Sequence, residues 1–280
     1  MQVWEVDFYR RPLNDRDGRP LWELVICEPS GNLLHTAYCS QSQANGNWLV
    51  DQLQELQQHH PLPDRICVFR PQTFQLLEAG SQRLHLTIEP TRRTPGLKTI
   101  LQDKARLYPT LPNYNGQAYE PLALDRPPPV PLPENLWGDR WRFASLPAAS
   151  LIDSFRDRPI PVLDMPEALF PLKLGLASTI PVPGVVIDGG RQSLRLVRWL
   201  QEVHPVELNY IAGEPDGLIL EAGLIDRWIL ATFSDPEVTA SARQFTQRKQ
   251  ASKGLHFLLV QPDDSGMTFT GFWLLNSLAA

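Results

Sequence analysis

Between Tyr108 and Pro133 the chain carries eight prolines: Pro109, Pro112, Pro121, Pro127, Pro128, Pro129, Pro131 and Pro133. Each fixes its own φ and withholds a backbone N–H, so neither a helix nor a central strand can run through the stretch. It predicts a stiff, extended connection. The chain is thereby divided into an N-terminal α/β unit over 1–109, a linker over 110–133 and a C-terminal α/β unit over 134–280. Such a segment could also serve as a ligand for a domain that binds polyproline helices.

Before that break the apolar pattern changes period in a fixed order. Val3 to Tyr9 alternates as a strand does, Asn14 to Gly18 turns, Leu21 to Cys27 returns, and a third strand is expected over Leu33 to Cys39. A helix from about Asn47 to His59 follows, with Leu49, Leu53 and Leu56 on one stripe and Pro61 and Pro63 behind it. A strand is expected over Arg65 to Arg70, a helix over Thr73 to Arg83 and a strand over Leu84 to Glu89. Thr94 as N-cap and Pro95 at the first helical position open a helix to about Leu107. The order βββαβαβα is that of a ribonuclease-H-like domain, in which helices flank a mixed sheet.

After the prolines, order resumes at Trp141 to Leu146, weakens through Asp153 to Pro171 and returns at Val185 to Ile187. A helix over Ser193 to Val203 puts Leu196, Trp199, Leu200 and Val203 on one face and Arg191, Arg195 and Arg198 on the other. Strands are expected over Val206 to Ile211, Leu218 to Glu221 and Arg227 to Phe233. A helix from about Pro236 to Lys253 and a final pair of strands, Leu255 to Gln261 and Thr268 to Leu275, complete a second α/β domain. Its acidic positions invite comparison with restriction-endonuclease-like folds.

With 280 residues, 42% of them hydrophobic, each unit can bury a core, and a mainly disordered chain is excluded. No apolar run approaches the roughly 18 residues of a membrane-spanning helix, so no membrane insertion is expected. The sequence enters directly on Trp4 to Tyr9 with neither a signal nor a transit pattern, which predicts a cytoplasmic protein, or one of an organelle's stroma if a transit peptide has been removed. Three cysteines without CxxC spacing predict buried, reduced thiols in place of a zinc site or a disulfide framework. A net charge of −5 argues against broad, sequence-independent binding to nucleic acid, so any such site must be local.

Two blocks carry a family resemblance. The opening Trp4-Glu5-Val6-Asp7-Phe8-Tyr9-Arg10-Arg11-Pro12 with Leu21-Trp22-Glu23-Leu24, and the ending Gly254 to Gln261 with Gly271-Phe272-Trp273-Leu274-Leu275, resemble the start and close of the Tab/Atab family of chloroplast and cyanobacterial proteins. Between them, Pro90-Thr91-Arg92-Arg93-Thr94, Leu136 to Trp141 and Leu220 to Trp228 fall in the family's order. The resemblance implies an RNA-binding protein that recognises A/U-rich or 5′ untranslated messenger RNA and promotes translation of photosystem I, and in some cases photosystem II, subunits. Translation or photosystem assembly proteins are further partners that it implies.

Catalytic chemistry is harder to find. A ribonuclease-H-like nuclease needs carboxylates converging on two metal ions. Asp7 could supply the first and Asp51 or Glu55 a second, but Arg70 stands where another acid is expected, and a cation there opposes metal binding. In the second half, Asp216 and Glu221 would need a lysine two residues beyond the acid, and that position is Gly223. No phosphate loop, HExxH pair or GxSxG elbow occurs. The reading is non-enzymatic, without cofactor, catalytic residue or metal. A metal-dependent nuclease and a protein-only assembly scaffold remain its rivals.

The candidate RNA contacts are Arg92 and Arg93, beside the helix start at Thr94-Pro95 where open N–H groups suit a phosphate. Two further rows are Arg191, Arg195 and Arg198, and Arg243, Arg248, Lys249 and Lys253. Asp188-Gly189-Gly190 could also receive a phosphate or simply turn tightly. Trp4, Trp22, Trp137, Trp141, Trp228 and Trp273 are of the type that stacks on bases, but most are expected in cores. His256, on an apolar strand, is expected to be a satisfied core histidine.

Overall fold

A computed structural model describes residues 2–81 and 86–277, and two compact units meet in sequence between Asp125 and Arg126. Among the described residues the chain forms three sheets and six α-helices, so the α/β class expected from the sequence holds, and the division at Asp125 falls within the 110–133 stretch expected to be a linker.

The first unit comprises β1 (Val3–Asn14), β2 (Pro20–Cys27), β3 (Leu33–Ser40), α1 (Gly46–Gln57), β4 (Arg65–Val68), α2 (Pro71–Ser81), β5 (Thr87–Pro90) and α3 (Pro95–Leu107). Its strands lie in the order β3-β2-β1-β4-β5. The hairpin pairs are antiparallel, with Val6 opposite Ile26, and β4 runs parallel to β1 with Val6 opposite Val68. The helix expected to reach Arg83 and the strand expected from Leu84 each run into 82–85, outside the described residues.

Because side chains alternate across a strand, β1 sends Trp4, Val6 and Phe8 to one face. There they meet Leu49, Leu53 and Leu56 of α1 and Leu77 of α2. Asn45 caps α1 by accepting from Trp48 N. The opposite face holds Glu5 and Asp7, and an alternating strand of this kind usually turns such residues to water. Here it is covered: Val25, Cys27, Phe69, Leu97 and Leu101 form a second core with Leu122 and Leu124 against it. Residues up to Leu124 of the proline-rich stretch thus lie on the first unit, and the Arg70 guanidinium donates to the carbonyls of Pro121 and Ala123.

The start of α3 rests on the β2–β3 turn. A Cβ on Gly96 would come within 2.5 Å of Glu28 O and 2.9 Å of Pro29 O, both backbone atoms. Gly96→Ala is therefore expected to lower stability by about 1–3 kcal/mol, although alanine favours helices, because the turn must shift to admit a methyl group. Urea unfolding of the two proteins reads the difference.

The second unit adds β6 (Val130–Pro131), β7 (Arg140–Pro147), α4 (Ala148–Phe155), β8 (Val162–Asp164), β9 (Pro181–Asp188), α5 (Ser193–Val203), β10 (Pro205–Ile211), β11 (Asp216–Ala222), β12 (Asp226–Phe233), α6 (Pro236–Ala251), β13 (Leu255–Gln261) and β14 (Gly271–Asn276). One sheet runs β10-β11-β12-β6 and the other β7-β9-β13-β14-β8. Leu196 and Leu200 of α5, Phe245 of α6, Leu218 and Leu220 of β11 and Val185, Leu258 and Trp273 of the larger sheet share one core. On that sheet's other face Phe155 of α4 stacks on Phe272 at 4.1 Å between ring centroids.

Candidate nucleic-acid interface

The polar face of β1 is where metal-dependent chemistry would have to sit. Asp7 and Arg11 are fully buried, and Arg11 Nη2 meets Asp7 Oδ2 at 2.8 Å while Arg70 Nε meets Asp7 Oδ1 at 2.9 Å. Both carboxylate oxygens are therefore engaged by guanidinium groups. Arg11 also reaches Glu23 through Nε at 2.9 Å and donates from Nη1 to the Tyr119 hydroxyl at 2.7 Å. Glu23 in turn takes Lys104 Nζ at 2.7 Å and a hydrogen bond from the Tyr108 hydroxyl.

Burial opposes ionisation of Glu23, but Arg11, Lys104, Tyr108 and Tyr38 outweigh it and hold the carboxyl down at about 2. Burial likewise opposes the charge on Arg11, and Asp7, Tyr119, Tyr108 and Glu23 overcome it, so the guanidinium stays protonated. Asp51 and Glu55 cannot join Asp7. They sit on the exposed side of α1, which covers the Trp4–Phe8 face of the sheet while Asp7 points to the other. Among the described residues no three His, Cys, Asp or Glu side chains come together as a metal site.

The second pair of acids is also engaged. Glu221 faces Arg126, Asn209 and Arg227, the last at 3.8 Å. Arg227 thus turns to Glu221. Asp216 accepts from Gly213 N at 2.9 Å and Thr239 Oγ1 at 2.6 Å.

The candidate cations fall into three places. Arg93 is exposed, but Arg92 is buried at 2% exposure. The α3 start beside them is not open: Glu5 Oε2 accepts from Leu97 N at 2.8 Å, and Thr94 makes no side-chain cap. A carboxylate from β1 has taken the N–H groups that the sequence offered to a phosphate.

Arg191, Arg195 and Arg198 are all exposed along one side of α5 and the turn before it, while Leu196, Val197 and Leu200 face the core. Beside them Gly189 N donates to Gln261 O and Gly190 N to Pro262 O, so the Asp188-Gly189-Gly190 segment is a tight connection.

The row on α6 does not form a common face. Arg243 is exposed, but Lys249 is buried at 9% exposure, with Nζ held by Glu207 Oε1, Leu208 O and Asn209 Oδ1 at 2.9, 2.8 and 2.6 Å. Arg248 reaches Ser145, and Lys253 reaches Leu174 O.

Of the tryptophans, Trp4 and Trp273 are buried, and Trp22, Trp141 and Trp228 are half-buried against the cores. Trp137 differs, with 55% of its surface exposed. Cys27, Cys39 and Cys67 are free and buried, and burial pushes the Cys27 thiol up to about 12.

His256 is a satisfied core residue. It is fully buried, Nδ1–H donates to Gly254 O at 2.8 Å and Nε2 accepts from Leu208 N at 2.9 Å. Burial, followed by the nearby Lys249 ammonium, lowers its pKa from 6.5 to about 3. The unfolded chain thus takes up a proton at this residue before the folded one does. Stability is expected to fall as pH drops from 6.5 to 5 by up to about 1.4 kcal/mol per unit, in a window above the titration of Glu23. Urea unfolding across that range, in the parent and His256→Gln, measures the slope, which the variant should lack.

Comparison with known proteins matches the chain twice to one family. Residues 3–104 match the model described as RNA-binding protein Tab2/Atab2 N terminal, and residues 119–276 match RNA-binding protein Tab2/Atab2, C-terminal domain. Protein TAB2 homolog, chloroplastic, from Arabidopsis thaliana is 32% identical over 99% of this chain and 75% of that protein. The protein of the same description from Zea mays is 31% identical over 99% of this chain and 72% of that one. Among solved structures, the HTLV-2 integrase catalytic core domain in complex with magnesium (trimeric form) is 15% identical over 41% of this chain and 78% of that chain; the TM-score of 0.27 is too low to carry an argument. With both halves matched in order and near-complete coverage by relatives above 30% identity, the chain belongs to the Tab2/Atab2 family of RNA-binding proteins.

Proposed function

We propose that the protein is a non-catalytic RNA-binding factor that promotes translation of photosystem I and photosystem II subunits. In this reading it engages A/U-rich or 5′ untranslated messenger RNA through local arginine-bearing surface. The observation that carries it is membership of an RNA-binding family across both units. The exposed row Arg191, Arg195 and Arg198 is the surface that suits phosphates best, with Arg93 and Arg243 as further exposed cations. Arg92 and Lys249 belong to the proposal as supports for the fold near those surfaces, since both are buried.

The absence of catalysis in this reading is supported by the engagement of Asp7 by Arg11 and Arg70. A divalent metal would have to displace two buried guanidinium groups to reach that carboxylate. Filter binding of the protein to an A/U-rich leader RNA at moderate salt tests the reading. Retention of intact RNA in the presence of Mg²⁺ is the expected result. A failure to bind sinks direct contact, and Mg²⁺-dependent cleavage sinks the non-catalytic part.

A second reading, a protein-only scaffold for photosystem assembly, draws on the net charge of −5. Pull-down after nuclease treatment separates them: partners of a scaffold survive the treatment and partners bridged by RNA do not.

A further inference from the structure

The second unit contains a cleft of about 470 Å³ that none of the contacts above fills. Ile229 and Leu230 of β12 line one side, Trp141 of β7 and Ile187 of β9 another, and Leu196 of α5 lies among the lining residues. Its size falls within the roughly 300–1,000 Å³ of small-molecule sites. Its walls are mainly hydrocarbon and aromatic, with Arg140 and Thr232 among them.

Trp137 and Arg140 also line it. Trp137 leaves 55% of its surface in water, which is costly for the largest apolar side chain. Its ring is nonetheless held, because Nε1–H donates to Leu132 O at 2.9 Å. An exposed tryptophan whose ring cannot swing away is a prepared stacking surface.

Charge of both signs stands beside the cleft. Arg140 is exposed at the start of β7. The backbone there is drawn close to the turn that opens α5: a Cβ on Gly138 would come within 2.9 Å of Asp188 O, and one on Gly190 within 2.1 Å of Asp139 Oδ2. Arg191 follows directly on that contact, and Arg195 adjoins the lining residue Leu196. Exposed Glu134 and Asp139 are the acids on the Trp137 segment, while Asp188 is occupied by Arg142 and Gln261.

An apolar slot with a fixed aromatic face and arginines beside it suits a group with a flat π-face and an adjoining anion. An unpaired nucleotide has both features. A hydrophobic ligand without phosphate would leave the arginines unexplained. We propose that this cleft takes one unpaired base of single-stranded RNA, stacked on Trp137, with the neighbouring phosphate held by Arg140 and Arg191. The proposal rests on the RNA-binding reading and deepens it by naming the pocket and the single-stranded substrate.

The test compares the parent, Trp137→Ala and Trp137→Phe for binding to a single-stranded A/U-rich oligonucleotide and to a duplex of the same sequence. It also maps the photocrosslink of a 5-iodouridine oligonucleotide by mass spectrometry. Loss of one stacked base predicts a roughly tenfold to hundredfold weaker complex for Trp137→Ala on the single strand. Trp137→Phe should stay near the parent, the duplex should bind weakly to all three proteins, and the crosslink should fall on Trp137 or Trp141. Equal thermal unfolding of the three proteins shows that folding is not the cause. If the parent binds RNA but Trp137→Ala binds equally well, or the crosslink maps elsewhere, the cleft proposal is overturned while the RNA reading stands. If the parent binds no RNA, both are overturned.

Discussion

An Arg11→Met variant is expected to lose about 3–5 kcal/mol of unfolding free energy at neutral pH. Methionine keeps much of the aliphatic length but removes the guanidinium fork that serves Asp7, Glu23 and Tyr119 in three directions. Asp7 would be left with Arg70 and Glu23 with Lys104, each in a site with no exposed carboxylate surface. Arg11→Lys should recover only part of the loss, because one ammonium cannot span the three partners. Adding Asp7→Asn and Glu23→Gln to Arg11→Met should also recover part, by removing the charges left buried without their partner. Urea unfolding reads all these variants, and a loss below about 1 kcal/mol for Arg11→Met would show that the network is not needed.

That network marks a limit of sequence reading. The alternation Trp4-Glu5-Val6-Asp7-Phe8 announces a strand and identifies its apolar face correctly. It does not say what covers the other face, which carries Glu5 and Asp7. The cover comes from α3 and from residues 119–124, far along the chain, and their partners are scattered single residues: Arg70, Lys104, Tyr108 and Tyr119. No local period connects them. The expected obstacle at Arg70 was nonetheless legible, since a cation just past the end of the neighbouring parallel strand opposes a metal at Asp7.

The proline-rich stretch was legible as chain without an α-helix, and among the described residues its only strand is the two-residue β6. What it lies against was not, because Leu122 and Leu124 act as isolated contacts and the Arg70 interaction uses main-chain carbonyls, which no side-chain pattern reveals. Similarly α4 is only eight residues long and is anchored by Leu151 and Phe155, too little for a periodic signal.

The triple variant Arg191→Ala, Arg195→Ala, Arg198→Ala is expected to bind leader RNA about 100-fold more weakly at moderate salt, since up to three phosphate contacts disappear together. All three side chains are exposed and the opposite face of α5 supplies the core, so thermal unfolding should be little changed. Arg92→Ala and Lys249→Ala should behave in the reverse manner, disturbing stability more than affinity, because those cations are buried. If RNA affinity falls for the buried cations and holds for the exposed row, the assignment to α5 is wrong.

The contrast between the basic rows shows what helical spacing can decide. On α5 the apolar positions are strong enough to fix which side is buried, and the three arginines then fall outward. On α6 the buried residues include Ala242, Phe245 and Lys249, so the lysine lies on the inner side with the apolar anchors. Its capture by Glu207, Leu208 and Asn209 depends on β10, which the helix pattern does not see. Trp137 was likewise legible by residue type, but its exposure depends on the turns on either side of it.

The salt dependence of RNA binding tests the central claim most directly. The parent and the triple arginine variant are titrated with a single-stranded A/U-rich leader RNA across a range of salt concentrations, and log affinity is plotted against log salt. If the α5 row holds phosphates, the variant's slope should be shallower than the parent's by about 2, from roughly 0.7 for each single-strand contact. Parallel lines, or a parent that binds no RNA at low salt, would contradict the account.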